Sequence, residues 1–280
     1  MINPEILIIP DIHGRDFYKD ALSEAVDLGV DVVCLGDYLD PYPYEVIHEG
    51  GVSKPLQELL LLKHESPHKI YLLVGNHDSS YMFRPSMCPA RYDYLNGPFF
   101  QRIFQNNSTA FDLFLRFEIA GKRFLFSHAG ITNTWMKKVS LDLGLNEDNI
   151  DTFLNTLNYM FKEFCLSRDK NAIWSHLSHI GEERGGNDSG GSMIWADFFE
   201  HTDSQNLLPD PDVIQVVGHT QLNYNPVRVD NRLFCLDCRD PFYIDCDGII
   251  RYYHNDKSIM DTDNFQPLNK IYKTEYGKDK

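Results

Sequence analysis

No stretch of the 280-residue sequence stays apolar long enough to cross a bilayer, and Met1-Ile2-Asn3-Pro4-Glu5 lacks the basic segment and apolar run of a secretory leader. The chain is therefore expected to be cytoplasmic, with no membrane partner. Basic residues are scarce: 26 Lys and Arg stand against 41 Asp and Glu, a formal charge of -15. A field of that sign repels nucleic-acid backbones and anionic lipid, which argues against general nucleic-acid binding though not against a local basic patch. Cysteines are few, at 34, 88, 165, 235, 238 and 246, and without an export signal they are expected to be reduced, mostly buried thiols. Cys235 and Cys238 form a C-x-x-C, but no second Cys or His pair sits at zinc-finger spacing, and the run around Cys235 reads as a strand. The glycine-rich segment from Gly185 to Gly191 lacks the G-K-[ST] ending of a phosphate loop. It is read as a mobile surface loop, with a cover over an active site as the alternative. No internal repeat is found.

What the sequence does contain is a series of short apolar runs rich in β-formers. They are Ile6 to Ile9, Val32 to Leu35, Ile70 to Val74, Phe124 to Phe126 and Val213 to Val217. Continuous apolarity suits strands buried on both faces, as in a sheet covered by helices. Ser53-Lys54-Pro55 predicts a helix start, followed by Leu56, Leu59 and Leu60 at helical spacing. A second helix is predicted near 150–166, where Ile150, Phe153, Leu154, Leu157, Phe161 and Phe164 form one core-facing stripe. Val227 to Val229, Leu233 to Leu236, Phe242 to Ile244 and Ile249 to Tyr253 read as a β-meander finishing a second sheet. The expected organisation is one domain over 1–254, with helical insertions near 79–117 and 141–210, and a polar, loosely held tail over 255–280.

The informative residues stand just past the end of each apolar run. The first leads into Asp11-Ile12-His13-Gly14 and the second into Gly36-Asp37-Tyr38-Leu39-Asp40. The third leads into Gly75-Asn76-His77-Asp78, the fourth into Ser127-His128-Ala129-Gly130, and the last into Gly218-His219-Thr220. In an open α/β sheet, ligands gather just beyond the carboxyl ends of the strands. One histidine there would be an ordinary hydrogen-bonded imidazole. Burying this many polar groups together is costly unless they are paired or coordinated. Mixed Asp, Asn and His donors suit manganese, iron or zinc better than a thiolate-type site would. Asp11 and His13, two apart on an extended segment, point to the same side.

These blocks, D-I-H-G, G-D-Y-L-D, G-N-H-D, S-H-A-G and G-H-T, resemble the calcineurin-like metallophosphoesterases, in that family's order from Asp11 to Thr220. Asp11-Ile12-His13-Gly14-Arg15, the Trp195-Ala196-Asp197 stretch and the lack of a second His after His219 resemble the branch of serine/threonine protein phosphatases and their bacterial relatives. The resemblance implies an α/β fold, a two-sheet β-sandwich flanked by helices. It implies two divalent or trivalent metal ions: Asp11 and His13 on the first, Asp37 bridging, and Asn76, His128 and His219 on the second. It also implies His77 facing the leaving group, oriented by Asp40, with Asn76 contacting substrate. The expected activity is hydrolysis of phosphomonoesters, on phosphoproteins or small molecules, by a hydroxide generated on the dinuclear centre. A phosphodiesterase or dinucleoside polyphosphate hydrolase is the alternative, and a non-catalytic metal-binding scaffold a further one. For His77, a mere phosphate contact stands beside the acid role.

The pattern departs at one point. The protein phosphatases carry an arginine after the second Asp of G-D-x-x-D, where this chain has Pro41-Tyr42-Pro43-Tyr44. Arginine matters there because its planar fork grips phosphate at two points. Arg184, beside the glycine-rich segment, is a candidate substitute, against the plainer reading of a surface charge. His176 and His179, three apart, are read as surface imidazoles with an accessory site as the alternative. The sequence leaves the oligomeric state unspecified.

Overall fold

The computed structural model describes residues 4–83, 89–167, 171–222 and 225–260. Its first sheet contains β1 (Pro4–Ile9), β2 (Asp31–Cys34), β3 (Ile70–Leu73), β4 (Phe111–Asp112), β10 (Phe242–Asp245) and β11 (Ile250–Tyr252), in the order β11-β10-β1-β2-β3-β4. The second contains β5 (Phe114–Ile119), β6 (Lys122–Ser127), β7 (Val213–Val217), β8 (Val227–Val229) and β9 (Leu233–Cys235), in the order β5-β6-β7-β9-β8.

Ile6, Ile8, Val33, Leu35 and Leu73 from the first sheet share one core with Phe124, Phe126, Val216, Val217 and Phe234 from the second. The intervening residues Leu7, Ile9, Val32, Cys34 and Leu72 belong to the other core, which includes Ala21, Leu22 and Ala25 of α1 (Lys19–Leu28) and Leu56 and Leu59 of α2 (Lys54–Glu65). Side chains alternate across a strand, so one face meets the opposite sheet and the other meets helices. That is why these strands read as unbroken apolar runs. The fold is the expected α/β one, two packed sheets flanked by helices.

Ser53 makes no side-chain cap bond at the start of α2, so Pro55, at the helix's first positions, is what favours the start there. Of the predicted stripe on α6 (Ile150–Ser167), Phe153, Leu154, Leu157, Phe161 and Phe164 are all buried. The helices α3 (Asn76–Phe83), α4 (Gly97–Asn106), α5 (Asn133–Asp142) and α7 (Asn171–Leu177) complete the set among the described residues.

Two expectations are corrected. The C-terminal strands do not form one meander in one sheet: β8 and β9 stay in the second sheet, while β10 crosses to pair antiparallel with β1. Without β10, β1 would carry an open hydrogen-bonding edge. The loose tail also does not begin at Asn255. Ile259 is buried and its N–H donates to Ile250 O, so the chain packs down to Met260. Residues 261–280 lie outside the described residues.

One side chain holds the loops of the first sheet in place. Asp78 is buried and accepts three backbone N–H bonds, from Asp37 at 2.7 Å, Gly75 at 2.9 Å and Tyr38 at 3.1 Å. It thereby ties the segment after β2 to the segment after β3. Asp78→Ala leaves these donors buried and unmatched. At about 1–3 kcal/mol each, the variant is expected to lose at least ~3 kcal/mol of stability, seen as a lower urea midpoint. An unchanged midpoint would show that these bonds carry no weight.

Candidate metal centre

Within each sheet the site-bearing strands run parallel: β1 with β2, β2 with β3, β6 with β7 and β7 with β9. Their carboxyl ends consequently lie along one edge of the sandwich, and the residues just past those ends converge. The backbone turns sharply there. His13, Asp37, Asp40 and His219 all have positive φ, between 46° and 66°. Such conformations cost non-glycine residues roughly 1–3 kcal/mol each, and persist only where the surroundings impose them.

Asp11, His13, Asp37, Asn76, His128 and His219 are all buried, and they form two groups of donor atoms that share Asp37. In one group Asn76 Oδ1 lies 3.1 Å from both His128 Nε2 and His219 Nδ1, which are themselves 3.2 Å apart. Asp37 Oδ2 stands 3.5 Å from His128 Nε2. In the other group, His13 Nε2 lies 3.7 Å from Asp37 Oδ2 and 4.0 Å from Asp11 Oδ2. Donors held about 2.0–2.1 Å from a common ion stand roughly 2.9–3.4 Å apart at octahedral to tetrahedral angles, so the first group has the spacing of a coordination sphere and the second is slightly wider.

Two of these imidazoles present an unprotonated nitrogen to the cluster. His13 Nδ1 donates to Leu39 O at 2.6 Å, and His128 Nδ1 donates to Leu35 O at 2.8 Å, which turns each Nε2 lone pair inward. Burial holds His13, His128 and His219 below the ordinary histidine range, in the neutral, ligating form. Burial, with Asp11 and Asp78 nearby, pushes the Asp37 carboxyl well above the usual carboxylate range. Lone pairs and carboxylates thus face one another in a dry place, a donor set that fits a cation and little else.

At the edge of this cluster stands His77. Its N–H donates to Asp37 Oδ1 at 3.0 Å, and its ring Nδ1 is 2.8 Å from Asp40 Oδ2. Tyr81 OH donates to the other Asp40 oxygen at 2.5 Å. Burial lowers the His77 pKa, while the Asp40 hydrogen bond opposes that shift. The His219 N–H donates to the Asp11 carboxylate at 3.0 Å, joining the first strand end to the last.

Several participants were not found by sequence reasoning. Arg91, from the segment between α3 and α4, donates through Nη1 to Asp40 O at 2.7 Å and reaches His77 Nε2 with Nη2 at 3.2 Å. Its guanidinium carbon sits 3.5 Å from the centre of the Tyr42 ring. Nothing local marks this arginine. Asp237, past the end of β9, is buried with Oδ1 unpaired among the described residues, and burial followed by Asp11 pushes its carboxyl well up. Its signal was present, an acid just after a buried strand, but Leu233 to Leu236 read as part of a meander. Arg15 donates to Asp11 O at 2.6 Å and to Glu45 at 2.7 Å, bracing the first loop.

Arg184 is neither an exposed charge nor free for phosphate. It is paired with Asp197 at 2.7 Å and donates to Thr220 Oγ1 at 2.9 Å. The glycine-rich segment beside it is pinned as well. Asp188 pairs with Lys138, Gly191 N donates to Glu200, and a Cβ on Gly186 would come within 2.0 Å of Ile180 O. His176 and His179 are half-buried and join no metal-type group among the described residues. Cys34, Cys165, Cys235 and Cys238 are buried free thiols, Cys246 is exposed, and Cys88 lies outside the described residues.

Two glycines make the convergence possible. A Cβ on Gly75 would lie 2.1 Å from Asp37 Oδ1, and one on Gly218 would lie 2.1 Å from Asp11 Oδ1. Gly75→Ala must therefore displace the shared carboxylate. We expect the variant to fold but to retain less than about a tenth of the wild-type manganese affinity by calorimetry, the size of loss typical when a ligand's support is disturbed. Wild-type affinity would show that the added methyl leaves the Asp37 carboxylate in place or that its position does not matter to the ion, and would overturn this expectation.

A sequence model of the calcineurin-like phosphoesterase family matches residues 4–223. No curated protein matches the chain. Among solved structures, a cold-active protein-tyrosine phosphatase from a psychrophilic Shewanella species is similar over 90% of this chain and 80% of its own, at 14% identity and a TM-score of 0.54. A serine/threonine phosphatase from Saccharomyces cerevisiae is similar over 86% of this chain and 73% of its own, at 16% identity and a TM-score of 0.44. A phosphoesterase from E. coli is similar over 91% of this chain and 96% of its own, at 14% identity and a TM-score of 0.42. At 14% identity the likeness to the Shewanella enzyme is one of fold. No helix among the described residues is long and apolar enough to cross a membrane.

Proposed function

The chain belongs to the calcineurin-like phosphoesterase family, and on that premise we propose that it is a metal-dependent phosphomonoesterase acting on phosphoproteins or small phosphate esters. The observation that carries this reading is the His77–Asp40 pair, set against a cluster of donors that shares Asp37. Asp11, His13 and Asp37 would hold one ion, and Asp37, Asn76, His128 and His219 a second, with manganese, iron or zinc as the metals these donors suit. When bound, such ions neutralise charge on phosphoryl oxygens and acidify water enough for it to attack phosphorus near neutral pH.

The rest of the chemistry belongs to the chain. Asp40 accepts a hydrogen bond from the Nδ1–H of His77, which fixes the ring and leaves Nε2 as the nitrogen that would face substrate. Tyr81 prevents Asp40 from rotating away by occupying its second oxygen. His77 would carry a proton on Nε2 and hand it to the departing oxygen as the P–O bond breaks, and Asp40 would stabilise the imidazolium before that transfer. Help of this kind is typically worth about 10²–10⁴-fold. Asn76, next to His77 on α3, would use its amide oxygen as a ligand and its amide nitrogen toward substrate.

The test is a panel with manganese: p-nitrophenyl phosphate, bis-p-nitrophenyl phosphate, a phosphopeptide and a diadenosine polyphosphate. Turnover of the monoesters well above the other two is expected. Faster cleavage of the diester or the polyphosphate would reassign the substrate class, and no hydrolysis of any would leave a scaffold. His77→Asn should keep its metal and lose about 10²-fold or more on a phosphoserine peptide, whose leaving group needs a proton, and far less on p-nitrophenyl phosphate. Equal losses on both would remove the acid role from His77.

A further inference from the structure

Arg15, Arg184 and Arg239, which surround the metal-type cluster, are each committed to a carboxylate, namely Glu45, Asp197 and Glu45. Arg91 is different. Among the described residues it has no carboxylate partner; its contacts are a backbone oxygen, an aromatic face and an imidazole nitrogen. The backbone at Arg91 has a φ of 70°, a conformation a long side chain rarely adopts. It is this turn that directs the side chain back over the site.

We propose that Arg91 is the substrate-gripping residue of this site: seated on Tyr42, its guanidinium takes a non-bridging oxygen of a phosphoryl group bound beside His77. The proposal rests on the phosphoesterase reading above and specifies how the substrate's charge is recognised.

Guanidinium offers five donors, and the two hydrogen bonds described occupy only two of them. The Nη1 bond to Asp40 O anchors the group to the loop that also carries the His77 partner. The Nη2 contact reaches the His77 nitrogen that Asp40 does not take, so the guanidinium borders the place where a leaving oxygen would sit in the proposed reaction. That contact is with a neutral acceptor. An anionic phosphoryl oxygen adds the attraction of opposite charges to the hydrogen bond, and would draw Nη2 away from the imidazole. Tyr42 supplies a flat seat, and is itself held, since its N–H donates to Glu45 Oε2 at 3.1 Å while the other Glu45 oxygen takes Arg15 and Arg239. A monoester dianion offers more free oxygen and more charge to this fork than a diester does. Arg91 should therefore favour monoesters.

The test measures binding of inorganic phosphate to manganese-loaded protein by calorimetry, with metal content determined alongside. Arg91→Gly removes the guanidinium and suits the positive φ. It is expected to weaken phosphate about 10–100-fold, the worth of one charge-assisted bond, at unchanged metal content. Its kcat/KM should fall more on p-nitrophenyl phosphate than on bis-p-nitrophenyl phosphate. Arg91→Lys keeps the charge but not the fork and should recover only part of the affinity. If the glycine variant does not fold, the lysine variant decides alone: weaker phosphate binding supports the grip, and wild-type affinity overturns it. A glycine variant that binds phosphate within twofold of wild type also overturns it, and leaves Arg91 a strut between two loops. Wild-type protein that binds phosphate through Arg91 yet hydrolyses no ester overturns the phosphoesterase reading instead, and leaves the grip standing.

Discussion

A carboxylate shut away from water among other acids is the constraint around which this structure is arranged. Asp37 is buried, and both burial and its neighbours Asp11 and Asp78 oppose its charge. A protein ordinarily relieves such a group with a proton donor. Here Oδ2 faces His13 and His128 across 3.7 and 3.5 Å, and the N–H groups of both rings are already given to Leu39 O and Leu35 O. The nitrogens that face Asp37 offer lone pairs. A cation between them would convert these repulsions into attractions, and the low local dielectric that makes the cluster costly would make that attraction strong.

Maintaining this cluster requires rigidity from the rest of the fold. The strained turns at His13, Asp37, Asp40 and His219 would relax if the strand ends were free to move. They are held by parallel registers in two sheets packed face to face, by the three N–H bonds into Asp78, and by the His219 N–H on Asp11. The large apolar cores serve the same end. Each site loop begins at a strand whose two faces are both buried, so its base cannot shift without disturbing two layers of packing.

What could be read from the sequence was whatever the chain states locally. A buried strand followed by Asp, Asn or His is a short signal, and the structure brings Asp11, His13, Asp37, Asn76, His128 and His219 near one another, with His77 and Asp40 beside them. What could not be read depends on partners remote in the chain. Phe242–Asp245 looks like the next hairpin strand, and only the free edge of β1 explains why it changes sheet. Arg184 looks exposed until Asp197 and Thr220 are placed beside it. The glycines from 185 to 191 look like a mobile loop, yet Gly186 and Gly191 are there because other backbone comes too close for a Cβ. Arg91 is the extreme case. Its relation to Asp40 spans 51 positions and depends on a left-handed φ that no neighbouring residue announces.

The position of Arg91 also bears on the charge of the molecule as a whole. At a formal charge of -15 the chain repels phosphate at long range, but salt screens that repulsion beyond about 8–10 Å. Recognition of an anion must then be decided within a few ångströms, by cations that no carboxylate has already neutralised. Arg15, Arg184 and Arg239 fail that condition. Where the resemblance to protein phosphatases implies an arginine, this chain has Pro41, whose fixed φ leads into Tyr42. The loop carries no guanidinium of its own at that position, and its Tyr42 seats one that arrives from elsewhere. Phosphate responds to where a guanidinium stands and how its fork is turned, and not to the segment that delivers it. A distant arginine, seated on Tyr42 and anchored to Asp40 O, meets the same physical requirement.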